Sequence, residues 1–371
     1  LVVPWIGVHL GVAYVLVAAI LPALQLGLIF GQLGSAPLFI RTRMRKKAVM
    51  GAGLMLAIAL AMVFVATAVL PPQLAAVALL VCMVVFGVSH GAFNVGYADL
   101  LAKTILPERR GRLTAQRAAI GGGATVLLAL VVLQLPEVDQ THDDVLWLGI
   151  AGWLGVVVAY ALLREPASEP VAQPIAWSEF LRGLQLIRVY PWYRRLLFAN
   201  VLLLSVELAI PFYAIHVATL HDATAQHVIL LVLTSSVGVL LGGLWARVSI
   251  RRRIVTGALL AALAGALTFF VEANGPWQVP YFYAALFILL TLGEQGSIQG
   301  RMTYLVNHAP DHDRPTLVAT SSTVGWIVGI GASALLAVAG QLQDVRLPLV
   351  ILIAFNLVAA LYVSLMLDAD A

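Results

Sequence analysis

Long apolar runs fill this chain almost end to end, and the short connections between them carry nearly all of its charge. The runs lie at about 12–39, 48–70, 73–104, 113–135, 145–163, 196–220, 226–246, 254–273, 279–306, 316–341 and 347–367. About 20 residues of helix cross about 30 Å of hydrocarbon, so each run is long enough to span a bilayer. Backbone inside hydrocarbon must satisfy its own hydrogen bonds, which leaves the α-helix for runs of this length. The expected fold is therefore all-α, a polytopic membrane bundle of about eleven helices. Leu1–Leu10 reads as the tail of a helix that starts upstream, followed by a turn at Gly11. Composition agrees: 61% of the 371 residues are hydrophobic and 11% charged, against about a quarter charged in soluble domains.

The connections set the orientation. Of the 22 lysines and arginines, 19 fall in alternate connections: 41–47, 103–112, 164–195, 247–253 and the turn at Arg314. The intervening connections carry Arg346 among basic residues, and one of them, Glu137–Asp144, is acidic. By the positive-inside rule the basic connections are cytoplasmic, as is the C-terminus. A formal charge of +4 thus reflects topology rather than a nucleic-acid surface. The expected place is the cell (inner) membrane of a bacterium, spanned many times, with the lipid bilayer as partner. Cys82 is the only cysteine and lies inside an apolar run, which leaves neither a disulfide framework nor a thiol metal site. No nucleophile–base set, metal-ligand spacing or phosphate loop occurs, so no enzyme and no cofactor are expected.

One connection differs from the rest. Residues 164–195 are long and polar, begin with Pro166, Pro170 and Pro174, and continue with Trp177, Phe180, Leu181, Leu184 and Ile187 at helical spacing. That pattern predicts an amphipathic helix lying on the cytoplasmic membrane surface. The expected units are an N-terminal helical half (1–163), the linker (164–195) and a C-terminal helical half (196–371).

Two basic turns repeat half a chain apart. Arg41, Arg45, Lys46 and Lys47 recur, shifted by 206 positions, as Arg247, Arg251, Arg252 and Arg253. A shift of 204 pairs Arg110 with Arg314, Gly121 with Gly325, Gly96 with Gly300, and His90 with Glu294. Duplicated halves of this kind are how many transporters are built.

An ionisable side chain at membrane depth costs several kcal/mol unless it faces a cavity or a partner, roughly 3 or more on insertion scales. Glu207 lies about 16 Å into its helix, one turn before Pro211, and Glu294 about 22 Å from the outer side. Either carboxylate could exchange a proton with both sides of the membrane; either could instead be neutralised by a fixed partner, such as Arg301 or Arg117. Ser297 and Arg301 share a helix face with Glu294, at i+3 and i+7. His90, Asn94 and Tyr97 form a comparable stripe, where His90 could equally bond a neighbouring helix. Arg117, Ser321, Ser322 and Trp326 complete the expected cavity lining. The surrounding apolar positions favour a hydrophobic solute. The histidines His216, His221, His227, His308 and His312 read as solvated or interfacial.

Together these features resemble the major facilitator superfamily. Its cytoplasmic-turn hallmark is Gly, three residues, an acid, a basic residue, any residue, Gly, any residue, then two basics. Gly242, Arg247, Arg251 and Arg252 match it, with Ala246 at the acid position and Ser249 at the second glycine. The first copy keeps Arg41, Arg45 and Lys46, with Ala36 and Ile40 at the glycine and acid positions. Pro107–Arg112 is also similar to the family, as is Gly87, although Met83 stands where the family places an arginine. The resemblance implies a twelve-helix fold, its first helix mostly absent here, and a central cavity between two six-helix halves. It also implies alternating access. With the two carboxylates at membrane depth, the expected function is secondary transport of a small solute, with protons as the coupling ion. A receptor-like or scaffold member of the same fold is the alternative.

Overall fold

The computed structural model describes residues 2–11, 13–41, 44–104, 120–127, 130–131, 142–165, 176–220, 225–274, 280–310 and 313–366. Among them no strand occurs. The helices are α1 (Val2–His9), α2 (Tyr14–Ala18), α3 (Ile20–Arg41), α4 (Arg45–Val69), α5 (Pro72–Thr104), α6 (His142–Leu162) and α7 (Ala176–Val189). They continue with α8 (Pro191–Leu220), α9 (Ala225–Leu241), α10 (Ile250–Asn274), α11 (Pro280–His308), α12 (Arg314–Leu342) and α13 (Leu347–Met366). Residues 120–127 are helical within the run expected at 113–135. Seven described helices hold a stretch long and apolar enough to cross a membrane, and α6 and α9 carry shorter apolar stretches. Large apolar side chains such as Val65, Leu162, Phe270 and Leu361 stay exposed on the outside of the bundle. In lipid, helices apolar all round are the stable arrangement.

The fold has two halves. In the first, α3 packs along α5, and α4 fills the space between α5 and α6. Gly27 and Gly31 on α3 meet Gly87 and Gly91 on α5 so closely that a Cβ at any of them would overlap a carbonyl oxygen of the facing helix. Without a hydrophobic drive between helices in lipid, such small residues supply the packing contact. In the second half, α10 packs on α11 and α13, and α9 on α11. Gly257 and Gly293 make the equivalent close approach between α10 and α11. The most enclosed span is α8, 78% of whose window is buried, because it touches α1, α11, α12 and α13.

One place where the halves meet is the end away from the basic turns. There α12 lies against α2 and α3. The Ser333 hydroxyl donates to Gln25 Oε1 at 3.3 Å, the Val15 N–H donates to Gln341 Oε1 at 2.9 Å, and the Tyr14 ring presses on Gly340. Gly122 also faces Leu240 of α9 across the seam.

At the basic end, the two turns are secured differently. Glu165, just past α6, accepts the N–H of Arg45 through Oε1 and of Lys46 through Oε2, at 3.0 and 2.9 Å. A carboxylate there satisfies orphan donors of α4 and complements its dipole. Lys46 returns the contact, its Nζ donating to the carbonyls of Ala161 and Leu163 at the end of α6. In the second turn, Arg253 closes on its own loop, with Nε and Nη2 donating to the Val248 carbonyl. Gly242 is buried against Gln295 of α11. Arg251 is half-buried and Arg252 exposed, while the side chains of Arg41 and Arg247 lie outside the described residues.

The expected amphipathic helix does form as α7, and it packs on protein, chiefly α12. Phe180 is buried, and Gly183 abuts the Thr320 side chain of α12 with no room for a Cβ. Arg182 and the Tyr190 hydroxyl each donate to the buried Asp313 carboxylate, both at 2.9 Å. That bond raises the Tyr190 phenol above its ordinary pKa. Leu181, on the face expected to meet the membrane surface, is 46% exposed.

Candidate functional site

Between the halves lies a cavity of about 280 Å³. Asn200, Leu204 and Glu207 of α8 line it, together with Ile298, Arg301, Met302 and Leu305 of α11. Ser321, Ser322, Gly325 and Trp326 of α12 form another wall, and Gln25 of α3 contributes from the first half. Each helix presents these residues at spacings of three or four, as one face of a helix requires.

Glu207 and Arg301 form an ion pair across the cavity, Arg301 Nη2 donating to Glu207 Oε1. Their side chains are 31% and 13% exposed, so neither charge is fully removed from solvent. The contact uses one oxygen of the carboxylate. Arg301 Nε also points at the Ser297 carbonyl, at 3.4 Å. Pro211 sits inside α8 and has no N–H, so the Glu207 carbonyl one turn earlier lacks its usual helical donor.

Asn200 donates through Nδ2 to Ser321 Oγ at 2.8 Å, tying α8 to α12. Its Oδ1 is buried without a hydrogen-bond partner. Ser297 Oγ is likewise buried and unpartnered.

Glu294 shares the face of α11 that carries Arg301, two turns away and about 10 Å along the axis. It is outside the cavity lining. No hydrogen bond or ion pair reaches it among the described residues. Arg301 therefore bonds directly to Glu207 and not to Glu294.

The stripe on α5 is placed elsewhere. His90 packs edge-on against Trp153 and beside Phe86, with ring centroids 6.2 and 6.1 Å apart. Tyr97 packs on the cluster built from Val49, Leu56 and Phe93, and Asn94 is exposed. None of the three lines the cavity, contrary to the reading from spacing: α5 turns its glycine face to α3 and its aromatic face to α4 and α6. Arg117 lies outside the described residues.

Two further histidines depart from expectation. His216 is fully buried, and its Nε2 lies 2.7 Å from Glu272 Oε1. Glu272 also accepts from Arg346 Nε at 3.1 Å, so a three-residue cluster joins α8, α10 and the turn before α13. His308 stacks between Tyr304 and Trp192, at 4.0 and 5.4 Å. His221, His227 and His312 fall outside the described side chains. Spacing missed Gln25 and Asn200, although each is an isolated amide inside an apolar run, the signal that could have found them.

Comparison with known proteins follows the same lines. The Major Facilitator Superfamily profile matches residues 1–332. The chain is 26% identical over 286 residues to the uncharacterized protein Rv2209 of Mycobacterium tuberculosis, covering 74% of this chain and 55% of that one. It thus spans about half the length of the curated relatives it matches. A bacterial homologue of the iron transporter ferroportin, in an inward-facing state, superposes with a TM-score of 0.68 at 16% identity, covering 98% of this chain and 92% of the other. The xylose transporter XylE from E. coli, in an inward-open conformation, gives 0.68 at 12% identity, covering 96% and 86%. At such identities the likeness concerns the fold. With the family profile covering most of the sequence, this multi-pass membrane protein belongs to the Major Facilitator Superfamily.

Proposed function

We propose that the protein is a secondary active transporter that moves a small solute by alternating access, coupled to protons. The observation that carries this reading is the juxtaposition of a cavity between the halves, the Glu207–Arg301 pair inside it, and Glu294 farther along the same helix face, which no described residue bonds. The units 1–163 and 196–371 rock about this cavity, with 164–195 as the cytoplasmic linker and the bacterial inner membrane as their setting. Contacts between Gln25 and Ser333, Val15 and Gln341, and Tyr14 and Gly340 close the outer side in this state. Glu294 carries the proton, since a carboxylate without a fixed counter-charge changes its interactions most on ionising. Glu207 couples that step to the solute through Arg301.

The test is flux in proteoliposomes across an imposed pH gradient, against a panel of solutes, with the protein and its Glu294→Gln variant. Solute-dependent dissipation of the gradient by the protein, lost in the variant, supports the mechanism. Unchanged proton movement in Glu294→Gln removes that residue's role, and absence of flux with every solute points to a receptor-like or scaffold member of the fold.

A further inference from the structure

We infer that the cavity selects a small zwitterion, a solute carrying one ammonium and one carboxylate group, which enters by replacing both sides of the Glu207–Arg301 pair. The inference rests on the transporter reading of the same site and names its substrate class.

The argument begins with the lining. Among the described residues, the cavity holds one carboxylate and one guanidinium, bonded to each other. A solute with a single charge takes one partner and leaves the other uncompensated in a low-dielectric site. Breaking the pair from one side leaves the other charge only partly solvated, 13% exposed for Arg301 and 31% for Glu207, which is unfavourable. A neutral solute can hydrogen-bond to either charge but supplies no counter-charge, so it leaves the pair in place rather than exchanging with it. A zwitterion presents its ammonium to Glu207 and its carboxylate to Arg301, so two charge-assisted contacts replace one and no charge is stranded. The single Nη2–Oε1 contact of the existing pair is less than the two-bond fork that guanidinium and carboxylate can form, which makes the exchange easier.

Size and the far wall narrow the class. A cavity of about 280 Å³ suits a molecule on the scale of an amino acid. Asn200 is 9% exposed, and its Oδ1 lacks a donor. It lies seven residues from Glu207 on the same face of α8, about 10 Å along the axis. A buried acceptor left without a donor is costly, so the preferred zwitterion carries a hydrogen-bond donor at the end remote from its charged groups. Leu204, Ile298, Met302, Leu305 and Trp326 also line the cavity, so the zwitterion can carry an apolar portion beside its charged groups, in keeping with the hydrophobic solute expected from the flanking positions.

The test is binding to the purified protein, by thermal shift and tryptophan fluorescence, with no membrane gradient. The probes are the twenty free amino acids, each with its methyl ester, which keeps only the cation, and its N-acetyl form, which keeps only the anion. At least one free amino acid with a side-chain donor should bind saturably, and its ester and N-acetyl forms about 30-fold more weakly or worse. Glu207→Gln should reverse the order in favour of the N-acetyl anion, and Arg301→Gln in favour of the ester. The double variant Glu207→Gln/Arg301→Gln strands no charge and should bind all three forms alike, which guards against misfolding of the single variants. Equal binding of the three forms by the unaltered protein, no binding by any probe, or an order unmoved by the variants would overturn the assignment. Binding is read without flux, so loss of proton coupling in vesicles leaves this result standing, and the reverse holds too.

Discussion

Helices α5 and α11 occupy matching places in the two halves, with His90 and Glu294 paired by the internal repeat, yet they do different work. On α5 the ionisable ring is absorbed into packing, wedged between Phe86 and Trp153. On α11 the carboxylate keeps clear of any described partner, and Arg301 on the same face reaches across to Glu207 of α8. The first half gives its inward face to glycine contacts between α3 and α5 and lends the cavity Gln25. Among the described residues, the second half supplies both cavity charges. The sequence repeat thus carries an asymmetric lining in the described residues, with close helix packing on one side and the ion pair on the other.

That contrast can be broken most directly at the matched pair. Under the proposed mechanism, Glu294→Gln should lower proton-coupled flux about 100-fold, as loss of a proton-transferring group does. His90→Gln should leave flux within about threefold. Comparable losses in both would erase the asymmetry. The close helix packing can be tested next. Gly31→Leu should destabilise the protein by about 2 kcal/mol or more, because α3 cannot move away from α5 without opening the half. Gly34→Leu, at a site with nothing within 4 Å, should shift the thermal midpoint far less.

The ion-pair side is sharpened by a double-mutant cycle. Glu207→Gln and Arg301→Gln should each cost about 1–2 kcal/mol in thermal or chemical unfolding, with the double variant costing less than their sum by about 1 kcal/mol. Strict additivity would mean that the pair contributes nothing. The smallest effect belongs to the basic turns. Glu165→Gln should loosen the start of α4 and cost about 1 kcal/mol, with faster hydrogen exchange at the amides of Arg45 and Lys46. Arg253→Gln should speed exchange around Val248 and leave α4 unaffected, since the second turn is closed within itself.

Much of this architecture was legible in the linear pattern. The apolar runs marked the spans, and Trp177 to Ile187 marked the helix α7. Glu207, Arg301, Ser321 and Trp326 were picked out as polar or aromatic positions at membrane depth, and all four line the cavity. The stripe of His90, Asn94 and Tyr97 shows where such reasoning stops. Helical spacing puts residues on a common face but leaves open what that face meets. The acid missing from the first basic turn shows the same limit, because a carboxylate does reach that turn, from Glu165, 120 residues away in sequence.

The sequence alone determined what enters the bilayer, in what order and at what depth, because transfer into hydrocarbon depends on composition and length and scarcely on neighbours. The rotation of each helix about its axis was decided only by the tertiary structure. Rotation follows from which backbones approach closely enough to pack, such as α3 on α5 or α8 against α12. Those contacts turned Arg301 toward Glu207, left Glu294 without a hydrogen bond from any described residue and sent His90 against Phe86 and Trp153. Charges a few residues apart on a line acquire partners only when close packing brings a second helix within hydrogen-bonding distance.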